Sequence, residues 1–230
     1  MRLVRGRAAT PTTDRKATAA MLDRTATDRQ PAVRVWTPHR QIAFGRRDAA
    51  CEGYDAARAA ATDRGFVPTE RSVGGRAVAY TGTTIAFAHA RPIDDLRQGL
   101  GERYDAATAT VRQALASLGV DVAAGEPPES FCPGSHSLQA AGKLAGVAQR
   151  VRADAALVSG VVIVTDRKEI ADVLTPVYDA LGVPFDPKSV GSVAHAGGPD
   201  DPDPVVRALE NSFVGSDSRT VLPVDRLLDD

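Results

Sequence analysis

Short apolar runs suited to strands interleave with amphipathic and alanine-rich runs suited to helices, and no strict strand–helix–strand rhythm orders them. A strict rhythm would give a doubly wound parallel sheet; its absence predicts a mixed α/β fold, with helices packed on a sheet of both strand senses. Val33 and Val35, then Ile42 and Phe44, mark two short strands around the turn Thr37-Pro38-His39. Residues 77–80 and 84–89 read as a hairpin across Thr81-Gly82-Thr83. Residues 144–152 and 156–164 read as a second pair of buried strands.

A first helix starts at Thr13 or Asp14, either a good N-cap, and runs to Thr27 before Pro31. An alanine-rich helix over 48–63 closes at Gly65, with Cys51 as packing within it. The plainest helix spans 94–118, where Leu96, Leu100, Tyr104, Ala107, Val111, Leu115 and Leu118 recur every three or four residues, and Gly119 ends it. Asp166 and Glu169 form a capping-box-like start, Thr175-Pro176 predicts a restart, and Gly182 a stop. A flexible acidic loop over 197–204 precedes a final helix over 204–213. With no internal repeat and no long linker, the expectation is a single domain over 1–230.

The charged fraction is 25% but the net charge is only -1, which excludes nucleic-acid binding by bulk electrostatics and leaves recognition to a local site. No run approaches the roughly 18 to 20 apolar residues of a membrane span. Arg2, Arg5 and Arg7 are followed by no apolar segment, so no signal peptide is expected and the location is read as cytoplasmic. Cys51 and Cys132 match neither a disulfide framework nor a zinc site, and no metal is implied. Only four of the 28 basic residues are lysines, which singles out a lysine inside a glycine-flanked motif.

Three segments carry candidate chemistry. Arg71-Ser72-Val73-Gly74-Gly75-Arg76-Ala77 lies between two strands, and its paired glycines let backbone N–H groups approach a ligand. An ordinary hairpin turn accounts for the same residues. Phe131-Cys132-Pro133-Gly134-Ser135-His136 puts a thiol on a constrained turn, where a favoured thiolate acts as a nucleophile. A small half-buried residue is the plainer reading, and His136 reads as a surface residue of the loop rather than a base. Gly142-Lys143-Leu144-Ala145-Gly146 places a lysine on a glycine turn entering a buried strand, where its ammonium can face an acyl carbonyl. A solvated turn lysine is the alternative.

Taken in this order, the three segments resemble the lipoate-protein ligase and octanoyltransferase superfamily. The double glycine 74–75 is similar to its signature loop, Phe44-Gly45-Arg46-Arg47-Asp48 to its early glycine turn, and residues 142–150 to its lysine motif. Ser130-Phe131-Cys132-Pro133-Gly134-Ser135 is most similar to the octanoyl amidotransferases, which move an octanoyl group from the glycine-cleavage H protein to other lipoyl domains through a cysteine thioester. One departure is Leu157-Val158-Ser159-Gly160, where many relatives carry a His-Gly pair, so no role of that histidine transfers.

The resemblance implies a biotin/lipoate ligase-type fold and an acyltransferase, with Cys132 as nucleophile and Lys143 polarising the carbonyl or assisting proton transfer. Arg71, Gly74, Gly75, Arg76, Ala77, Gly142 and Gly146 would line the acyl or carrier site, and a β-branched residue at Gly75 would obstruct it. Partners would be lipoyl-domain proteins or the glycine-cleavage H protein, without nucleic acid or membrane, and no cofactor beyond the acyl group is needed. The alternative is a lipoate-protein ligase catalytic domain that makes lipoyl-AMP from ATP and magnesium, alone or with a separate partner subunit. Absence of an extra C-terminal domain from these residues weighs toward the transferase.

Overall fold

The computed structural model describes residues 1–71, 75–95, 98–152 and 154–228. In chain order they form β1 (Arg2–Arg5), α1 (Pro11–Asp28), β2 (Ala32–Trp36), β3 (Gln41–Phe44), a single turn α2 (Arg46–Ala49) and α3 (Tyr54–Asp63). Strands β4 (Val67–Glu70), β5 (Val78–Tyr80) and β6 (Ile85–Pro92) lead to α4 (Leu100–Ala116). Then come β7 (Ala123–Ala124), β8 (Ser137–Gln139), β9 (Lys143–Val151), β10 (Ala155–Val162), α5 (Arg167–Ala180), α6 (Pro202–Val214) and β11 (Thr220–Pro223).

The larger sheet has the order β11-β1-β2-β6-β10-β9-β8-β7 and the smaller β4-β3-β5. Both are mixed, as the irregular rhythm predicts: β1 runs parallel to β2 and β11, β6 is antiparallel to β2 and β10, and β3 pairs parallel with β4 and antiparallel with β5. Alternation along the strands sorts side chains between two layers. Val33, Val35, Ile85 and Phe87 pack toward Val111 and Leu115 of α4 and Leu209 and Phe213 of α6. Ala32, Ala88, Ala90 and Leu157 face Ala17, Met21 and Leu22 of α1. A third cluster joins the small sheet to α3 and α5 through Ile42, Phe44, Ala57, Leu174 and Tyr178.

Several local expectations are corrected by this packing. Segments 77–80 and 84–89 are strands but not a hairpin, because β5 pairs with β3 while β6 pairs across the large sheet. Hydroxyls of Thr81, Thr83 and Thr84 bond one another where the chain crosses between sheets. The helix expected over 48–63 is broken at residues 50–53, so Cys51 lies in the break rather than within a helix. Close packing explains this: a Cβ on Gly53 would sit 1.8 Å from the Ala180 carbonyl oxygen at the end of α5. Helix α4 starts at Leu100, not Asp94, behind Gly99 in the left-handed region at φ 71°; Leu96 of the apolar stripe lies outside the described residues. Helix α5 runs through Pro176 without a restart, and Asp166 caps it with backbone alone while its carboxylate accepts from Thr83. The N-cap of α1 is Thr10, which frees Asp14 for a buried ion pair with Arg34 and a 2.7 Å bond from Trp36 Nε1.

Candidate active site

A pocket of about 230 Å³ opens between α1 and the large sheet and reaches the small sheet at its inner end. Leu22, Ala86, Ala88, Leu157 and Val161 give it an apolar wall, with Gly146 and Gly160 where β9 and β10 pass. Arg71, Cys132 and Lys143 also line it, so one residue from each of the three sequence segments meets here.

Cys132 is carried on the loop between β7 and β8. Phe131, 1% exposed, anchors that loop in the core beside Tyr178. Cys132 itself has φ 42°, a left-handed conformation that costs a non-glycine residue roughly 1–3 kcal/mol and needs surrounding bonds to hold it. Those bonds are present. Its N–H donates to Tyr178 Oη at 2.6 Å, and that hydroxyl donates to the Ala77 carbonyl at 2.9 Å. Lys143 Nζ donates to the Phe131 and Cys132 carbonyls at 2.9 and 2.8 Å and to Glu126 at 2.8 Å. Glu126 in turn accepts from Ser130 Oγ and from the Gly134 N–H. An ammonium has three protons. All of them are committed to the loop.

Around the sulfur the donors converge. Arg71 Nη2 lies 3.0 Å from Cys132 Sγ, and the backbone N–H groups of Gly75 and Arg76 point at it. Burial pushes the thiol up, but Arg71, those two N–H groups and Lys143 together outweigh it, so the thiol ionises below its ordinary value. Burial also lowers the Lys143 ammonium, against the opposing pull of Glu126. Burial pushes the Tyr178 phenol well up, with the neighbouring Cys132 adding to it, so Tyr178 stays a neutral donor.

The remaining candidates fall in other places. Arg76 directs its guanidinium away, to Asp48 and Cys51, both at 3.3 Å, and offers only its backbone to the site. Ala77 acts through its carbonyl on Tyr178. Gly142, at φ 115°, packs against Gly191, where a Cβ would come within 2.7 Å of the backbone nitrogen. Gly74 lies outside the described residues. His136 stacks on Tyr104 with ring centroids 3.9 Å apart, fixing the loop's far end against α4. Glu126 and Tyr178, both central to holding Cys132, have no signal in the sequence beyond being a loop carboxylate and a helix aromatic.

Gly75 has no positive φ, and a Cβ there meets nothing within 4 Å, so a side chain at that position brings neither backbone strain nor a clash within the protein. The tight approach is at Gly45, whose Cβ would stand 2.1 Å from the Gly75 carbonyl oxygen. Gly45→Ala is therefore expected to push the Gly75–Arg76 backbone off the sulfur and to make the thiol harder to ionise. The thiolate fraction is full above the folded pKa and falls as pH drops through it, so the rate of iodoacetamide alkylation against pH reports the shift. The wild-type midpoint should lie below that of a cysteine peptide, and that of Gly45→Ala should move up toward it.

A family model described as the lipoyl protein ligase A/B catalytic domain matches residues 14–213. Among curated proteins, an octanoyl-[GcvH]:protein N-octanoyltransferase of Exiguobacterium sibiricum is 34% identical over 123 residues, 52% of this chain and 44% of that protein. One of Geobacillus kaustophilus is 31% identical over 119 residues, 51% and 42% of the two chains. The matched part of the chain thus spans under half the length of these relatives. Among solved structures, a lipoate-protein ligase A bound with ATP superposes with a TM-score of 0.78 at 20% identity, over 99% of this chain and 92% of that one. A putative lipoate protein ligase from T. acidophilum with bound lipoic acid gives 0.71, also at 20% identity and over the same shares. These likenesses establish the fold of the lipoate-protein ligase catalytic domain.

Proposed function

The chain belongs to the lipoyl protein ligase A/B catalytic domain family, and from that premise we propose that it is an acyltransferase moving an octanoyl group between protein lysines through a thioester on Cys132. The observation that carries this reading is the sulfur itself: it sits on the wall of an apolar pocket, facing a guanidinium and two backbone N–H groups, and is ionised more easily than an ordinary thiol. A ligase that joins lipoate through an adenylate has no use for such a group. The names of the curated relatives support the octanoyl chain and the H protein as donor.

In the first step the Cys132 thiolate adds to the octanoyl carbonyl carbon on the donor lysine. That addition forms the C–S bond; collapse of the adduct restores the C=O bond, breaks the C–N bond and releases the donor amine, which takes up one proton. In the second step the acceptor lysine's amine adds to the thioester, the C–S bond breaks, the thiolate returns and one proton is given back. Lys143, lowered by burial, is placed to lend and regain that proton through the one it shares with the Glu126 carboxylate, while its other two hold the nucleophile's loop. The apolar wall takes the octanoyl tail, each buried methylene contributing roughly 0.8 kcal/mol.

The test is to mix the protein with octanoylated H protein and an unmodified lipoyl domain without ATP and to follow the intact mass of the acceptor. The reading predicts that the acceptor gains one octanoyl group. An acceptor modified only when ATP, magnesium and free lipoate or octanoate are supplied would replace it with the ligase reading.

A further inference from the structure

Octanoyl transfer needs a donor for the oxygen that becomes negative as the thiolate adds, and Lys143 is not free to be it, since its three protons bond Glu126 and the Phe131 and Cys132 carbonyls. At the pocket, Arg71 does have a donor to spare. Arg71 lines the cavity with Nη2 at 3.0 Å from Cys132 Sγ and at 2.5 Å from the Arg76 carbonyl, yet its Nε is buried without any hydrogen-bond partner. A buried N–H left unpaired costs free energy, and such a group beside a nucleophile points to a ligand that satisfies it.

The geometry of the guanidinium identifies the ligand atom. Nε and Nη2 share one carbon and form a planar fork that bridges two atoms attached to a common centre. Elsewhere in this protein Arg5 uses that same edge, with Nε and Nη2 at 3.1 and 2.5 Å from the two carboxylate oxygens of Glu210. In an acyl-enzyme adduct the sulfur and the acyl oxygen are likewise two atoms on one carbon. A fork already holding the sulfur by Nη2 presents Nε to that oxygen.

We propose that Arg71 is the oxyanion donor of this site, Nη2 staying on Cys132 Sγ while Nε–H receives the acyl oxygen. As the C–S bond forms, the carbonyl π pair moves onto oxygen, so negative charge passes from sulfur to an atom one bond beyond the shared carbon. Arg71 follows it without changing place, which is the preorganisation that stabilises such adducts. Collapse returns the pair to the C=O bond and expels the amine with its proton as above. This assignment rests on the thioester reading, and it moves carbonyl polarisation from Lys143 to Arg71.

The test separates attack that builds an oxyanion from attack that does not. Acylation of Cys132 by p-nitrophenyl octanoate passes through a tetrahedral oxyanion; alkylation by iodoacetamide needs only the thiolate. In Arg71→Lys, which keeps a cation but loses the fork, acylation should fall about a hundredfold at a pH where the thiol is fully ionised, the scale of one lost oxyanion donor. Alkylation at the same pH should change only a few-fold. Equal losses in both rates, or no loss in either, would overturn the assignment and leave Arg71 a partner of the thiolate alone. A wild-type protein that takes up no octanoyl group would overturn the thioester reading, and the assignment with it. Should Arg71→Lys not fold, the wild type with an octyl trifluoromethyl ketone serves instead. Its hemithioketal oxygen, followed by 19F NMR against pH, should ionise well below the pH at which the free ketone hydrate does; ionisation like that of the hydrate overturns the proposal.

Discussion

Lys143→Arg is expected to lower octanoyl transfer about a hundredfold or more, the scale of a positioned proton donor, although the charge is conserved. The ammonium occupies a closed space: it is 1% exposed, bonds three acceptors at 2.8–2.9 Å, and its Cε is the first atom a Cβ on Gly146 would meet, at 3.4 Å. A guanidinium is wider, planar and not a proton donor near neutral pH. It cannot reach both loop carbonyls from one point, so the left-handed backbone at Cys132 loses what holds it. Transfer kinetics together with iodoacetamide alkylation give the readout: transfer should collapse while alkylation persists at a reduced rate. Near-normal transfer in Lys143→Arg would remove both roles from this lysine.

Strands β2, β3, β5, β6, β9 and β10, the first and last helices and the three segments that meet at the pocket were legible because each rests on local physics. Glycine turns and short apolar runs speak for themselves over a few residues. What was not legible depends on distant partners. Nothing within 77–89 says that β5 and β6 belong to different sheets, because their partners β3 and β10 lie elsewhere in the chain. The break after α2 is set by Gly53 meeting the end of α5, more than a hundred residues on. The same holds in the site. Lys143 was recognisable from its glycines, but that its protons go to Glu126 and to the loop it faces follows only from the fold. Arg71 was visible as a flanking charge; its contact with Cys132 spans 61 positions. Gly45, rather than Gly75, carries the tight backbone approach, since closeness between two loops leaves no mark on either one alone.

Cys132→Ala is expected to abolish transfer altogether, because the sulfur is the atom that carries the acyl chain between the two steps. The side chain is small and only partly buried at the edge of a core cluster, and its backbone bonds to Tyr178 and Lys143 remain, so the variant should keep its fold and melting temperature. Cys51, bonded to the Arg47 carbonyl and to the outward-turned Arg76, is outside the pocket lining, and Cys51→Ala should transfer normally.

The most direct measurement is the intact mass of the wild-type protein after incubation with octanoylated H protein and no acceptor. One octanoyl group should be added, mapping by peptide analysis to the segment containing Cys132, released by hydroxylamine as a thioester is, and missing from Cys132→Ala but not from Cys51→Ala. No adduct on the wild type, with ATP-dependent lipoylation that survives Cys132→Ala, would contradict the account.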